Sequence, residues 1–118
     1  MRHHNHNRKF GRKKNIRLAF MRSLARALVI EGRIMTTEAR AKELRPFVEK
    51  MITRAKSTEA VTALRTLTAD MGGQIDVAQK IVRDIAPKFT DRNGGYIRIL
   101  KAPARASDGA PMALIEFV

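Results

Sequence analysis

The chain has no cysteine and no tryptophan, and no acidic residue precedes Glu31. The lack of cysteine removes disulfides, thiolate zinc sites and thiol nucleophiles together, and it fits a reducing compartment. Aromatic residues make up 5% of the chain. That is too few for single-strand binding by a row of stacking platforms, which needs rings in quantity. No apolar run approaches the roughly 18 to 20 residues of a membrane span, and the charged, apolar and small-residue order of a secretory signal is missing. Also missing are G-x-S-x-G, a phosphate-cradling G-x-x-x-x-G-K and H-E-x-x-H, so nothing in the sequence assembles a known catalytic centre.

What is present is positive charge, and it is unevenly spread. Of 24 Lys and Arg, nine fall within the first thirty residues: Arg2, Arg8, Lys9, Arg12, Lys13, Lys14, Arg17, Arg22 and Arg26. The other 88 residues carry 15 Lys and Arg against all 11 acids, so most of the net +13 is N-terminal. Such a segment repels itself until a polyanion neutralises it. Residues 1–14 show no apolar period, with Phe10 the only large apolar side chain after Met1, and read as an extended basic arm that folds against nucleic acid. Each phosphate it neutralised would contribute roughly −0.7 to −0.9 to the salt slope of binding. An Arg-rich, acid-free start also resembles a mitochondrial transit peptide. The segment's single serine, Ser23, and its direct passage into a helical pattern speak against that.

Residues 15–118 read as one α+β domain of about four helices on a small three-stranded mixed sheet. Asn15 is a candidate N-cap. Ile16, Phe20, Leu24, Ala27 and Leu28 then keep helical spacing, with Arg22 and Arg26 on the opposite stripe, which predicts a mostly buried helix with one basic edge. Gly32 suits its C-terminus. After a short extended piece at 33–36, Thr36 or Thr37 caps a second helix, and Pro46 predicts a kink or break near Arg45. Val61, Leu64, Leu67 and Thr68 suggest a third helix closed by Gly72 and Gly73. Val77, Ala78, Ile81, Val82 and Ile85 suggest a fourth, stopped by Pro87. The period then changes. Residues 96–101 and 112–118 are β-branched and apolar, joined by a loop rich in Ala, Pro and Gly. The second strand is the more apolar, which makes it the central one.

Three further constellations carry chemistry. Lys88, Arg92, Arg98, Lys101 and Arg105 gather around Gly94 and Gly95, where bare amides and close backbone approach suit a phosphate; a simple turn is the plainer explanation of the two glycines. Met1-Arg2-His3, with His4 and His6, could hold Cu(II) or Ni(II) in a square plane, although imidazoles beside phosphates need no metal. Asp91 and Asp108 could share Mg²⁺, but both look like turn residues, and their companions pair locally, Glu38 with Lys42 and Glu49 near Lys50 and Lys56. A nuclease would need converging acids.

In order and spacing, several segments point to one family. They are Met1-Arg2-His3, Arg17-x-Ala19-x-x-Arg22, and Thr36-Thr37-x-x-Arg40-Ala41-Lys42-Glu43-Leu44-Arg45. Two more follow, Gly94-Gly95-Tyr96-x-Arg98-Ile99-Leu100-Lys101 and Ala110-Pro111-Met112-Ala113-x-Ile115-Glu116. Across nearly its full length the chain resembles ribosomal protein seventeen of the bacterial large subunit. Asn7, Ile16, Pro46, Ala102-Pro103 and Ser107 depart from that family's pattern. The resemblance implies a structural and assembly role on large-subunit ribosomal RNA near the mouth of the nascent-chain exit tunnel, with neighbouring large-subunit proteins as partners. It implies no enzymatic activity. Arg2, His3, Arg8, Arg12, Arg17 and Arg22 would then touch RNA, and Gly94, Gly95, Arg98, Lys101 and Arg105 would form a second contact set. The charge pattern adds His4, Lys9, Lys13, Lys14, Arg26, Arg40, Lys88 and Arg92 to the candidates. No cofactor, metal, membrane or small-molecule substrate is expected, and the location is the cytoplasmic ribosome, an organellar one staying open. The competing function is a free-standing architectural nucleic-acid binder. A duplex reader needs a helix with polar, base-reading side chains, and the basic helix here presents Leu, Met, Phe and Ala instead.

Overall fold

The computed structural model describes residues 13–118. Helix α1 (Lys14–Glu31) leads into strand β1 (Arg33–Thr37) and the long helix α2 (Glu38–Ser57), followed by α3 (Ala60–Asp70) and α4 (Ile75–Lys80). The chain stays helical as a π turn over Ile81–Ile85 and a 3-10 turn over Ala86–Phe89. It finishes with β2 (Ile97–Ala102) and β3 (Met112–Phe117).

The strand order is β1-β3-β2, with the most apolar strand central as its composition predicts. Both pairings are antiparallel, so the sheet is not mixed. The hairpin over 103–111 enforces one pairing, and β1 runs along β3 in the same opposed sense. Ile34, Ile115 and Ile99 align in one row on the inner face. Helix α2 lies across that face, and Leu44, Val48, Ile52, Ala113 and Ile115 are fully buried there.

Thr37 caps α2 through its hydroxyl, which accepts from the Arg40 N–H, and Glu38 pairs with Lys42 at 2.9 Å. Pro46 neither ends nor divides the helix. Proline inside a helix costs about 3 kcal/mol. Burying Leu44, Val48, Met51 and Ile52 on the opposite side returns roughly 6 to 12 kcal/mol at 1.5 to 3 per side chain, so packing decides. Pro87 comes after the wider helical ladder has ended at Ile85; it sits in the first turn of the 3-10 segment, where no amide is needed.

Helix α1 departs furthest from expectation. It begins at Lys14 with Lys13 at the cap position, and Asn15 turns its side-chain oxygen to the Ile16 N–H instead of capping. Gly32 ends it with φ 85°, donating to the Leu28 carbonyl. Only Ala25, Leu28 and Val29 are buried. Ile16 and Leu18 are 53% and 37% exposed, so the mostly buried helix that its apolar spacing predicts packs against the core only from Met21 onward. The reason is geometric: Leu18 faces α2 across an open groove rather than a filled interface.

Candidate nucleic-acid interface

Arg2, His3, His4, Arg8, Lys9 and Arg12 lie outside the described residues, as does the Met1-Arg2-His3 copper reading. Where the described chain begins, Lys13 and Lys14 are exposed on the first turn of α1, and Arg17 follows half-buried one turn on. None of these three makes an ion pair or side-chain hydrogen bond among the described residues. Cations in that condition can accept a phosphate without giving up a partner.

The arginines further along α1 behave differently. Arg22 donates its Nε–H to the Asp70 carbonyl at 2.7 Å, tying α1 to the C-terminus of α3. Its guanidinium would lie 3.1 Å from a Cβ placed on Gly72. Gly72 also sits at φ 67°, so its conformation favours glycine, and a side chain there would crowd the guanidinium. Arg26 forms a salt bridge to Asp76 at 2.8 Å and donates to the Gln74 side-chain oxygen at 3.0 Å. Its hydrogen bonds hold the Asp76 carboxyl below the usual carboxylate range. Arg40 stacks its guanidinium 5.0 Å over the Phe20 ring. The polar stripe of α1 thus works largely as a seam to α3 and the start of α4.

The second cluster is not one patch. Arg98 lies on the outer face of the sheet in a row with Glu116 and Arg33, and it donates to the Glu116 carboxylate at 2.6 Å. Lys101, three residues on, belongs to the opposite face and is exposed. Arg105 sits in the hairpin loop, where both of its side-chain hydrogen bonds go to Asp108 at 2.8 and 2.9 Å. Hydrogen bonds from Arg105, then from the Ala110 N–H, hold the Asp108 carboxyl at about 2. Asp108 is therefore taken up locally, and among the described residues no group of three or more His, Cys, Asp or Glu could hold a metal ion.

Lys88 and Arg92 are exposed on either side of Thr90 and Asp91. The turn that follows places Gly94 at φ 136° and Gly95 at φ 63°, both facing open space. This turn is anchored from α2. Lys56 reaches the Arg92 carbonyl and the Tyr96 hydroxyl, and Glu49 accepts the Tyr96 N–H at 2.8 Å. Glu49 therefore serves Tyr96 and not the neighbouring lysines. Tyr96 is buried against Phe89, with ring centroids 5.2 Å apart. Sequence spacing could not expose Lys56 in this part, because its partners are 36 and 40 residues away.

Fold and surface together define a small basic α+β protein, with exposed cations on α1 and around the 88–101 region and no described helix long and apolar enough to cross a membrane. Residues 20–118 match the family described as Ribosomal protein L17. A protein named large ribosomal subunit protein bL17 from Shouchella clausii (strain KSM-K16) is 51% identical over 116 residues, covering 93% of this chain and 97% of its own. The protein of that name from Halalkalibacterium halodurans is 49% identical over the same length and shares. The one from Gemmatimonas aurantiaca is 46% identical over 118 residues, covering all of this chain and 98% of its own. The chain belongs to the ribosomal protein L17 family.

Proposed function

We propose that this chain is a structural constituent of the bacterial large ribosomal subunit and binds its ribosomal RNA, near the mouth of the nascent-chain exit tunnel, by neutralising phosphates. The observation that carries the proposal is the charge asymmetry: nine cations and no acid before Glu31, attached to a domain whose family is ribosomal. Lys13, Lys14 and Arg17, without partners among the described residues, extend the arm's charge onto a rigid helix. Rigid placement lowers the ordering cost of each contact. The Gly94-Gly95 turn, pinned by Lys56 and Glu49, supplies a second place where backbone and phosphate can meet. The role is assembly and support within a cytoplasmic ribonucleoprotein that serves translation, beside neighbouring large-subunit proteins, with no chemistry of its own.

Sucrose-gradient sedimentation of a lysate tests this. The protein is expected to comigrate with the large subunit and to stay there through a high-salt wash. Sedimentation at the top of the gradient, apart from any ribosomal particle, would overturn it.

A further inference from the structure

Between the first half of α1 and the middle of α2 lies an open groove of about 550 Å³, within the roughly 300–1,000 Å³ of sites that enclose small ligands. Its floor is apolar, made by Leu18, Met21, Phe47 and Met51. Five cations line it (Lys14, Arg17, Arg22, Lys50 and Arg54) against two carboxylates, Glu43 and Asp70. Asp70 is already paired with Arg54. Lys14, Arg17 and Lys50 have no ion pair among the described residues.

We infer that this groove receives one base extruded from the ribosomal RNA, with the flanking phosphates on Lys14, Arg17 and Lys50. Two features on the surface itself select that occupant. An apolar floor under a cationic rim matches a nucleotide, whose flat base is apolar on its faces and whose backbone is anionic, and Phe47 offers a ring on which a splayed base can stack. A single ring suits a single base, which the low aromatic content allows. The groove also lies at the foot of the arm. Arg12 is two residues before Lys14 in sequence, within about 7 Å of chain, so RNA that the arm binds needs only a short reach to Lys14. The inference rests on the RNA-binding proposal above and deepens it.

The test is site-specific photocrosslinking in intact large subunits carrying the full chain. p-Benzoyl-phenylalanine replaces Leu18 in one strain and Lys88 in another, and adducts are mapped by reverse-transcription stops and mass spectrometry. The expected result is an rRNA adduct at one nucleotide from position 18 and a different one from position 88. An adduct from position 18 to a ribosomal protein or to this chain's own arm, or none, while position 88 still crosslinks to rRNA, overturns the groove proposal and leaves RNA binding standing. No rRNA adduct from either position overturns both. Independently, Phe47→Leu keeps the floor apolar and removes the stacking ring. It is expected to weaken binding of the full chain to purified large-subunit rRNA about tenfold with an unchanged salt slope; unchanged affinity would count against the stacked base.

Discussion

Two cationic regions of this molecule look alike in sequence and differ in structure. At the start of α1, Lys13, Lys14 and Arg17 are without partners among the described residues. At the sheet end, Arg98 and Arg105 are each held by an acid, Glu116 at 2.6 Å and Asp108 at 2.8 Å. A cation without a partner gives a phosphate its full Coulombic and counterion-release benefit. A cation already paired must release a carboxylate first, so its net gain is smaller and leaves an unpaired acid facing the RNA. Counting arginines does not show that the sheet-end pair is already held by acids while the cations at the helix start are not.

The largest effect expected from that difference comes from removing residues 1–12, which takes away Arg2, Arg8, Lys9 and Arg12. Four lost phosphate contacts would flatten the salt slope of rRNA binding by roughly 3 and weaken binding about a thousandfold at 0.1 M salt. Thermal unfolding should not move, since the buried core is built from residues after Leu24. Filter binding across a KCl series decides it, and an unchanged slope would remove the arm from the interface. Next in size is Arg22→Ala. Because Arg22 ties the Asp70 carbonyl and packs on Gly72, the loss should appear as about 1–2 kcal/mol of stability in denaturant unfolding, with little change in salt slope. The reverse pattern would return Arg22 to the contact set that its family motif implies.

How far the sequence could show this depends on the range of the interaction. The central place of β3, the Gly32 and Thr37 caps and the Glu38–Lys42 pair are set by local pattern, and local pattern finds them. Pro46 brings no break, because propensity carries no knowledge of the burial on the other side of α2. The wider helical ladder ends at Ile85 ahead of Pro87, while the path continues as a 3-10 turn that has no use for the missing amide. The half-exposed α1 also misleads. Periodicity records which side is apolar and not whether another element reaches it, so Ile16 looks like core although the fold leaves it 53% exposed. Site residues divide along the same line. That Arg26 belongs to Asp76 and Glu49 to Tyr96 follows from pairings about fifty residues apart, which no spacing rule reports.

A direct comparison of the two regions uses single alanine substitutions. Lys14→Ala and Arg17→Ala should each lower rRNA affinity about sixfold at 0.1 M salt and reduce the slope by about 0.8. Arg98→Ala and Arg105→Ala should each cost less than about threefold, on the same basis minus the acid each one leaves behind. Arg98→Ala should still weaken incorporation into the subunit detectably, because Glu116 then stands without its cation on the outer face of the sheet. Equal losses at all four positions would erase the distinction between paired and unpaired cations. Larger losses at the sheet end would invert it.

The smallest effect concerns whether Arg105 can be freed by protonation. An ordinary aspartate titrates near 3.9, and Asp108 is held at about 2 by Arg105 and the Ala110 N–H. Its folded value is depressed, so whatever stability the pair supplies is present above the ordinary value and is lost as pH falls through about 2. Between pH 7 and pH 4 the hairpin should therefore keep its geometry, with the Gly109 and Ala110 amide resonances unmoved and a transition only toward pH 2. In Arg105→Ala the midpoint should return toward the ordinary aspartate value. Since no pH a cell experiences opens this pair, only a competing anion can, and a phosphate that took Arg105 would have to leave Asp108 close by. Placing the pair at the hairpin tip therefore makes Arg105 a brace for the 105–110 turn before it is an RNA ligand, and the variant should lose hairpin order before it loses affinity. A midpoint near 2 that persists in Arg105→Ala would assign the depression to the backbone amide and release Arg105 for the interface.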